Sequence, residues 1–140
     1  MNKTTDIEKA KDCLQENTIA LCKGCFSFVS AKKGIAPMME FIELGIDFEG
    51  FSVADKVVGK AVALLFVKSK IANLYTKTLS KSAKQVLDKY NIPYTYDTLC
   101  DYIKNRKGDG RCPMESAVEN TFDPEKAYEI LKEKLAQMKN

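Results

Sequence analysis

Apolar residues fall in short runs whose spacing switches between a helical and a strand period, and the switching predicts an α/β domain. Residues 6–16 place Ile7, Ala10 and Leu14 on one face of a first helix that Asp6 can cap. Residues 18–22 and 25–30 read as two strands joined by a Lys23-Gly24 turn. Pro37 suits the first turn of a short helix that Gly45 ends. Residues 51–54 read as a buried strand that runs into Asp55 and a helix over 56–68. That helix is apolar on most faces (Val57, Val58, Ala61, Val62, Leu64, Leu65), which predicts deep packing against a sheet. Residues 71–76 give the next strand. Ser80 caps a helix to Tyr90, and Asn91-Ile92-Pro93 turns the chain into a strand near 94–96. A short helix over 98–104 precedes a glycine-containing loop, and residues 113–119 give one or two more helical turns. Asp123-Pro124 starts the last helix, with Ala127, Ile130, Leu131, Leu135 and Met138 inward.

An initial hairpin followed by right-handed crossovers predicts a mixed five-stranded sheet with helices on both faces. Ligands of such sheets bind outside the carboxyl ends of the parallel strands. Two of those ends are polar here, at Asp55-Lys56 and over residues 76–82. No repeat or linker interrupts the pattern, so residues 1–140 read as a single domain, and 45% apolar residues suffice for its core. The polar N-terminus is unlike an export signal, and the longest apolar run, residues 61–67, is too short for a bilayer. The expectation is a cytoplasmic protein with no membrane partner, whose five cysteines are free thiols.

Charge adds a candidate site. The net charge is +3, and of 22 basic residues only Arg106 and Arg111 are arginines. Both lie in Asn105-Arg106-Lys107-Gly108-Asp109-Gly110-Arg111-Cys112-Pro113-Met114-Glu115. A guanidinium grips a carboxylate or phosphate through a planar fork that lysine lacks. Two glycines let the backbone approach a ligand, and a helix N-terminus follows, a combination suited to phosphate. The competing reading pairs the arginines with Asp101, Asp109 or Glu115 to pin the loop. From Lys56 to Lys84 run seven lysines and no acid, either a solvated surface or a positive field for a small anion. Nucleic acid fits poorly, because no aromatics interleave with these lysines.

Individual residues carry paired readings. Asp55 is an N-cap for the amides of Val57 or Val58, or an acceptor, base or nucleophile at a pocket mouth. Lys56 and Lys60, one helical turn apart, hold a phosphate or reach solvent. Gly59 within a helix lowers propensity by about 1 kcal/mol relative to Ala, which implies close helix–sheet approach. Cys112 falls at the N-cap before Pro113, where the helix dipole and Arg111 favour a thiolate, or it is a buried structural cysteine. Glu115 is placed to reach back to the Cys112 amide. Cys22-Lys23-Gly24-Cys25 reads as a cross-strand pair beside a turn, ahead of a redox or zinc motif.

Val53-Ala54-Asp55-Lys56-Val57-Val58-Gly59-Lys60-Ala61, taken with Asn105-Arg106-Lys107-Gly108 and Cys112-Pro113-Met114-Glu115, resembles a small prokaryotic domain-of-unknown-function family of the cytidine-deaminase-like superfamily. The resemblance runs from about Ile7 to Leu135. It implies the three-layer cytidine-deaminase-like fold and a nucleoside-shaped pocket. The superfamily's zinc motifs, H-x-E and P-C-x-x-C, would fall at Asp55-Lys56-Val57 and near Leu79-Ser80-Lys81-Ser82. Neither supplies the needed ligands and the chain has no histidine, so neither zinc deamination nor a metal cofactor is expected. The implied pocket is lined by Lys56, Lys60, Ser80 and Lys81, with Arg106, Gly108, Asp109, Arg111 and Glu115. The expectation is a binder of a nucleotide or nucleotide-sugar phosphate. The alternatives are a metal-free enzyme using Asp55 or Cys112, or an interaction subunit that pairs with another chain or a second copy of itself.

Overall fold

The hairpin forms as expected, one residue later than the pattern implies. In the computed structural model, which describes residues 5–104, 108, 110 and 112–138, β1 (Ile19–Lys23) and β2 (Phe26–Ser30) pair with Lys23 opposite Phe26. The turn is therefore Gly24-Cys25, and Gly24 takes φ +60, a conformation glycine adopts without steric cost. Cys22 faces Ser27, so Cys22 and Cys25 are not the cross-strand pair read from the sequence. β1 also pairs antiparallel with β3 (Ser52–Val58). β4 (Asn73–Ser80) runs parallel to β3, and β5 (Tyr94–Cys100) parallel to β4. The sheet is mixed and five-stranded, in the order β2-β1-β3-β4-β5.

Among the described residues there are six helices: α1 (Asp6–Leu14), α2 (Ala36–Glu43), α3 (Lys60–Ser69), α4 (Lys81–Lys89), α5 (Pro113–Ala117) and α6 (Pro124–Met138). Thr5, not Asp6, caps α1, and Glu8 closes a capping box with it. Asp6 instead accepts from the Gly24 amide at 3.0 Å and ties α1 to the hairpin turn. Ser80 caps α4 as expected, accepting from the Ala83 amide.

The largest departure lies between β3 and α3. The strand continues through Asp55 to Val58, and α3 begins at Lys60 with Gly59 as its N-cap. Asp55 is therefore not a helix cap, and Gly59 is not inside a helix. Val57 and Val58 are alike apolar although Val57 is exposed and Val58 buried, so the strand-to-helix boundary leaves no trace in the apolar pattern. β5 likewise extends to Cys100, where a helix over 98–104 was expected. At the C-terminus Met138 is exposed, so the inner face of α6 ends before it.

Two cores separate the faces of the sheet. On one face, Ile19, Leu21, Val53 and Leu74 meet residues of α2 to α6, among them Met38, Leu64, Leu87, Met114 and Leu131. Phe28, Phe41, Phe48 and Phe51 add an edge-to-face cluster, with Phe48 and Phe51 centroids 5.1 Å apart. On the other face α1 alone sets Ala10 and Leu14 over Ala20, Cys22 and Ala54. Among the described residues no helix is long and apolar enough to cross a membrane.

Candidate functional site

β1 stops pairing with β3 at Ile19 and Asp55, and only the Lys56 amide, donating to the Thr18 carbonyl at 3.0 Å, continues that edge. Beyond that point β3 keeps β4 as its neighbour and loses β1. Asp55, in the middle of β3, thus sits at the step where the antiparallel hairpin meets the parallel strands. Its carboxyl is 7% exposed. Oδ1 accepts from the freed Val57 amide at 3.4 Å, a long bond, and no cation pairs with it among the described residues. Burial pushes its pKa well above the ordinary aspartate value, and the Val57 and Lys56 amides only partly offset this. Beside it on β4 is Thr76, fully buried, whose hydroxyl donates to the Thr78 carbonyl at 3.1 Å.

The two sequence blocks that carry the family resemblance meet at the head of α3. The Glu115 carboxylate crosses from α5, accepting from the Lys60 amide and the Ala61 amide at 2.7 Å each. It fills the helix N-terminus with the chain's own anion, where backbone donors and the macrodipole favour negative charge. The reach back to the Cys112 amide read from the sequence is not made: that amide donates to the Ile103 carbonyl. Gly59 makes the approach possible. A Cβ there would stand 2.5 Å from Glu115 Cδ and 2.8 Å from Ile103 Cγ1, inside contact distance.

Lys60 is drawn into the same structure and does not share a helix face with Lys56, which lies on β3. Its ammonium donates to the Glu119 carbonyl at 2.9 Å and lies 4.0 Å from the Phe122 ring centroid. Burial lowers its pKa, and the charges of Glu115 and Glu119 partly restore it. Lys60 and Glu115 are thus engaged with the protein itself.

At the ends of β4 and β5 the remaining residues line up. Ser80 is buried, and its Oγ lies 3.2 Å from Ser82 Oγ as well as accepting from Ala83. Lys81 and Asp101 form an exposed ion pair at 2.8 Å, which raises the lysine pKa and lowers that of the aspartate. Burial raises the Cys100 thiol, with Asp101 adding to it. Cys112 is half-buried, packs against the main core and stands at the N-cap of α5 as expected, without a side-chain capping bond. Gly108 has φ +75 with open space around it. Arg106, Asp109 and Arg111 lie outside the described residues.

The structure brings Asp55 and Ser80 onto adjacent parallel strands, and it separates Lys60 and Glu115 from them functionally by tying both into the α3 latch. Two grooves, of about 280 and 270 Å³, lie elsewhere. The first is at the amino ends of β4 and β5, between Lys70 and Pro93; the second is beside α1 and the hairpin turn. No group of three His, Cys, Asp or Glu side chains among the described residues is placed to hold a metal ion. Sequence reasoning missed the Glu115 latch and a Tyr75–Asp97 hydrogen bond of 2.6 Å on the α1 side of the sheet. It placed Thr76 in the polar end over residues 76–82, and the register of the parallel strands sets it opposite Asp55.

Fold and site together define an open-sheet α/β domain whose candidate chemistry centres on a buried carboxyl. The family described as TM1506, domain of unknown function (DUF1893), matches residues 9–135, and the chain belongs to it. Among solved structures the chain is similar to the crystal structure of a DUF1893 family protein (TM1506) from Thermotoga maritima at 2.70 Å resolution. The two share 28% identity and a TM-score of 0.79, over 86% of this chain and 82% of that one. None of the curated proteins matches.

Proposed function

We propose that this protein is a zinc-independent binding domain for a small anionic, nucleotide-like ligand, held in a deaminase-like crevice at the carboxyl ends of β3 and β4. One observation carries the reading: Asp55 is a buried carboxyl without a cation partner among the described residues, beside the point where β1 leaves β3. Such a group weakens a fold unless something uses it, and perturbed carboxyls concentrate at functional sites.

Kept protonated, Asp55 presents one donor and one acceptor, the complement of the amide-like edge of a nucleobase. Lys56 and Lys81 supply positive charge at the same end of the sheet, with Ser80 and Ser82 as hydroxyl partners. The Lys81–Asp101 pair is exposed, so exchanging Asp101 for a ligand phosphate sacrifices little. Lys60 and Glu115 take no part in contact; they fix the head of α3.

A thermal-shift panel of nucleoside phosphates and nucleotide sugars tests this. Asn presents the same donor and acceptor as a protonated Asp, so Asp55→Asn keeps the ligand-induced shift, while Asp55→Leu loses it. Failure of every compound in the panel to shift the wild type would refute the reading. A metal-free enzyme would instead show turnover that Asp55→Asn or Cys112→Ser abolishes with binding retained.

A further inference from the structure

The α1 face of the sheet holds a second cluster with its own chemistry. Cys13 of α1 packs against the small core that contains Cys22 of β1. The Cys13 thiol is a near neighbour of Cys22 and one of the groups that act on it. Together with Cys25 of the hairpin turn they line the groove of about 270 Å³, whose rim includes Lys9 and Asp12. All are free thiols. With no three-ligand metal group among the described residues, two neighbouring thiols lining one groove favour thiol–disulfide exchange over metal ligation.

We propose that Cys13 and Cys22 form a redox-active dithiol site, which exchanges with low-molecular-weight disulfides entering by this groove and closes into a disulfide joining α1 to β1.

Accessibility sets the order of steps. Cys13 is half-buried, whereas Cys22 is 1% exposed. The Cys13 thiolate attacks one sulfur of the incoming disulfide RSSR, forming Cys13–S–S–R and releasing RS⁻, which takes a proton from water. Cys22 then loses its proton to solvent and attacks Sγ of Cys13, expelling the second RS⁻. Two thiols give two electrons and two protons to RSSR, and the products are one protein disulfide and two RSH. Burial, and after it the neighbouring Cys13, hold the Cys22 thiol up at about 11. A reductant that reaches the accessible Cys13 sulfur must expel Cys22, a poor leaving group, while the Cys22 sulfur is shielded. The bond is therefore slow to open once made.

The test uses the reduced full chain incubated with oxidised glutathione, then alkylated and mapped by peptide mass spectrometry. A peptide linking Cys13 to Cys22 is expected in the wild type and in Cys25→Ser. In Cys22→Ser a glutathione mixed disulfide should persist at Cys13. If Cys22→Ser does not fold, the wild-type map decides alone. Free, alkylated Cys13 and Cys22 after exposure, or a Cys22–Cys25 link in place of Cys13–Cys22, would overturn the proposal.

Discussion

The Glu115 carboxylate binds the Lys60 and Ala61 amides at 2.7 Å across a separation of 55 and 54 residues, so the last part of the chain caps the helix that follows the central strand. Gly59 provides the room, since any Cβ there would collide with Glu115 and Ile103. The contact joins the Gly59-Lys60-Ala61 and Cys112-Pro113-Met114-Glu115 blocks, each shaped by the other.

Glu115→Ala leaves two helix-head amides without their acceptor and should lower stability by about 2–3 kcal/mol. Gly59→Ala, by forcing the carboxylate aside, should cost a similar amount. The double variant should cost less than the sum of the two, because the clash with Glu115 disappears with its side chain while that with Ile103 stays. Urea unfolding of the three variants measures this coupling, and simple additivity would contradict the latch.

Lys60 was a candidate ligand contact in the sequence, and its surroundings predict a different phenotype. Lys60→Met should lower stability by about 1–2 kcal/mol through loss of the Glu119 hydrogen bond and the Phe122 contact. Ligand affinity should be unchanged. A variant of wild-type stability with lost binding would return Lys60 to the site.

Asp55 predicts a distinctive pH dependence. Its folded pKa is raised, so between the unfolded value and the folded one the native state holds a proton that the unfolded chain has released. Stability therefore falls as pH rises through that window, and the full penalty is present above the folded pKa. Asp55→Asn removes it. The variant should be more stable than wild type at neutral pH, with the gap closing as pH falls to about 4. Denaturant melts across that range check the sign, and a pH-independent difference would contradict it.

The sequence made the sheet legible because its elements are signalled locally: the hairpin by Lys23-Gly24, α4 by Ser80, α6 by Asp123-Pro124. It misplaced the β3–α3 junction because Val57, Val58, Ala61 and Val62 belong to one nearly unbroken apolar stretch, within which exposed Val57 reads the same as buried Val58. Asp55 and Ser80 were found from polarity at expected strand ends; the structure keeps Ser80 at the end of β4 but puts Asp55 in the middle of β3, opposite Thr76. The partner of Glu115 was missed because a carboxylate at the third helical position has an obvious local acceptor role. Nothing in the spacing says that Gly59, over fifty residues away, leaves a better one open. The thiol pairing was misassigned for a related reason. C-x-x-C spacing drew attention to Cys25, whereas the thiol that neighbours Cys22 comes from the opposite side of the α1–sheet interface.

Native mass spectrometry of the protein mixed with nucleoside phosphates and nucleotide sugars tests the central claim, that Asp55 anchors a ligand at the carboxyl ends of β3 and β4. One ligand per chain should be retained by the wild type and by Asp55→Asn. Asp55→Leu should bind at least about tenfold more weakly, the loss expected for one buried hydrogen-bonding group. No retained compound, or equal retention by Asp55→Leu, would contradict the account.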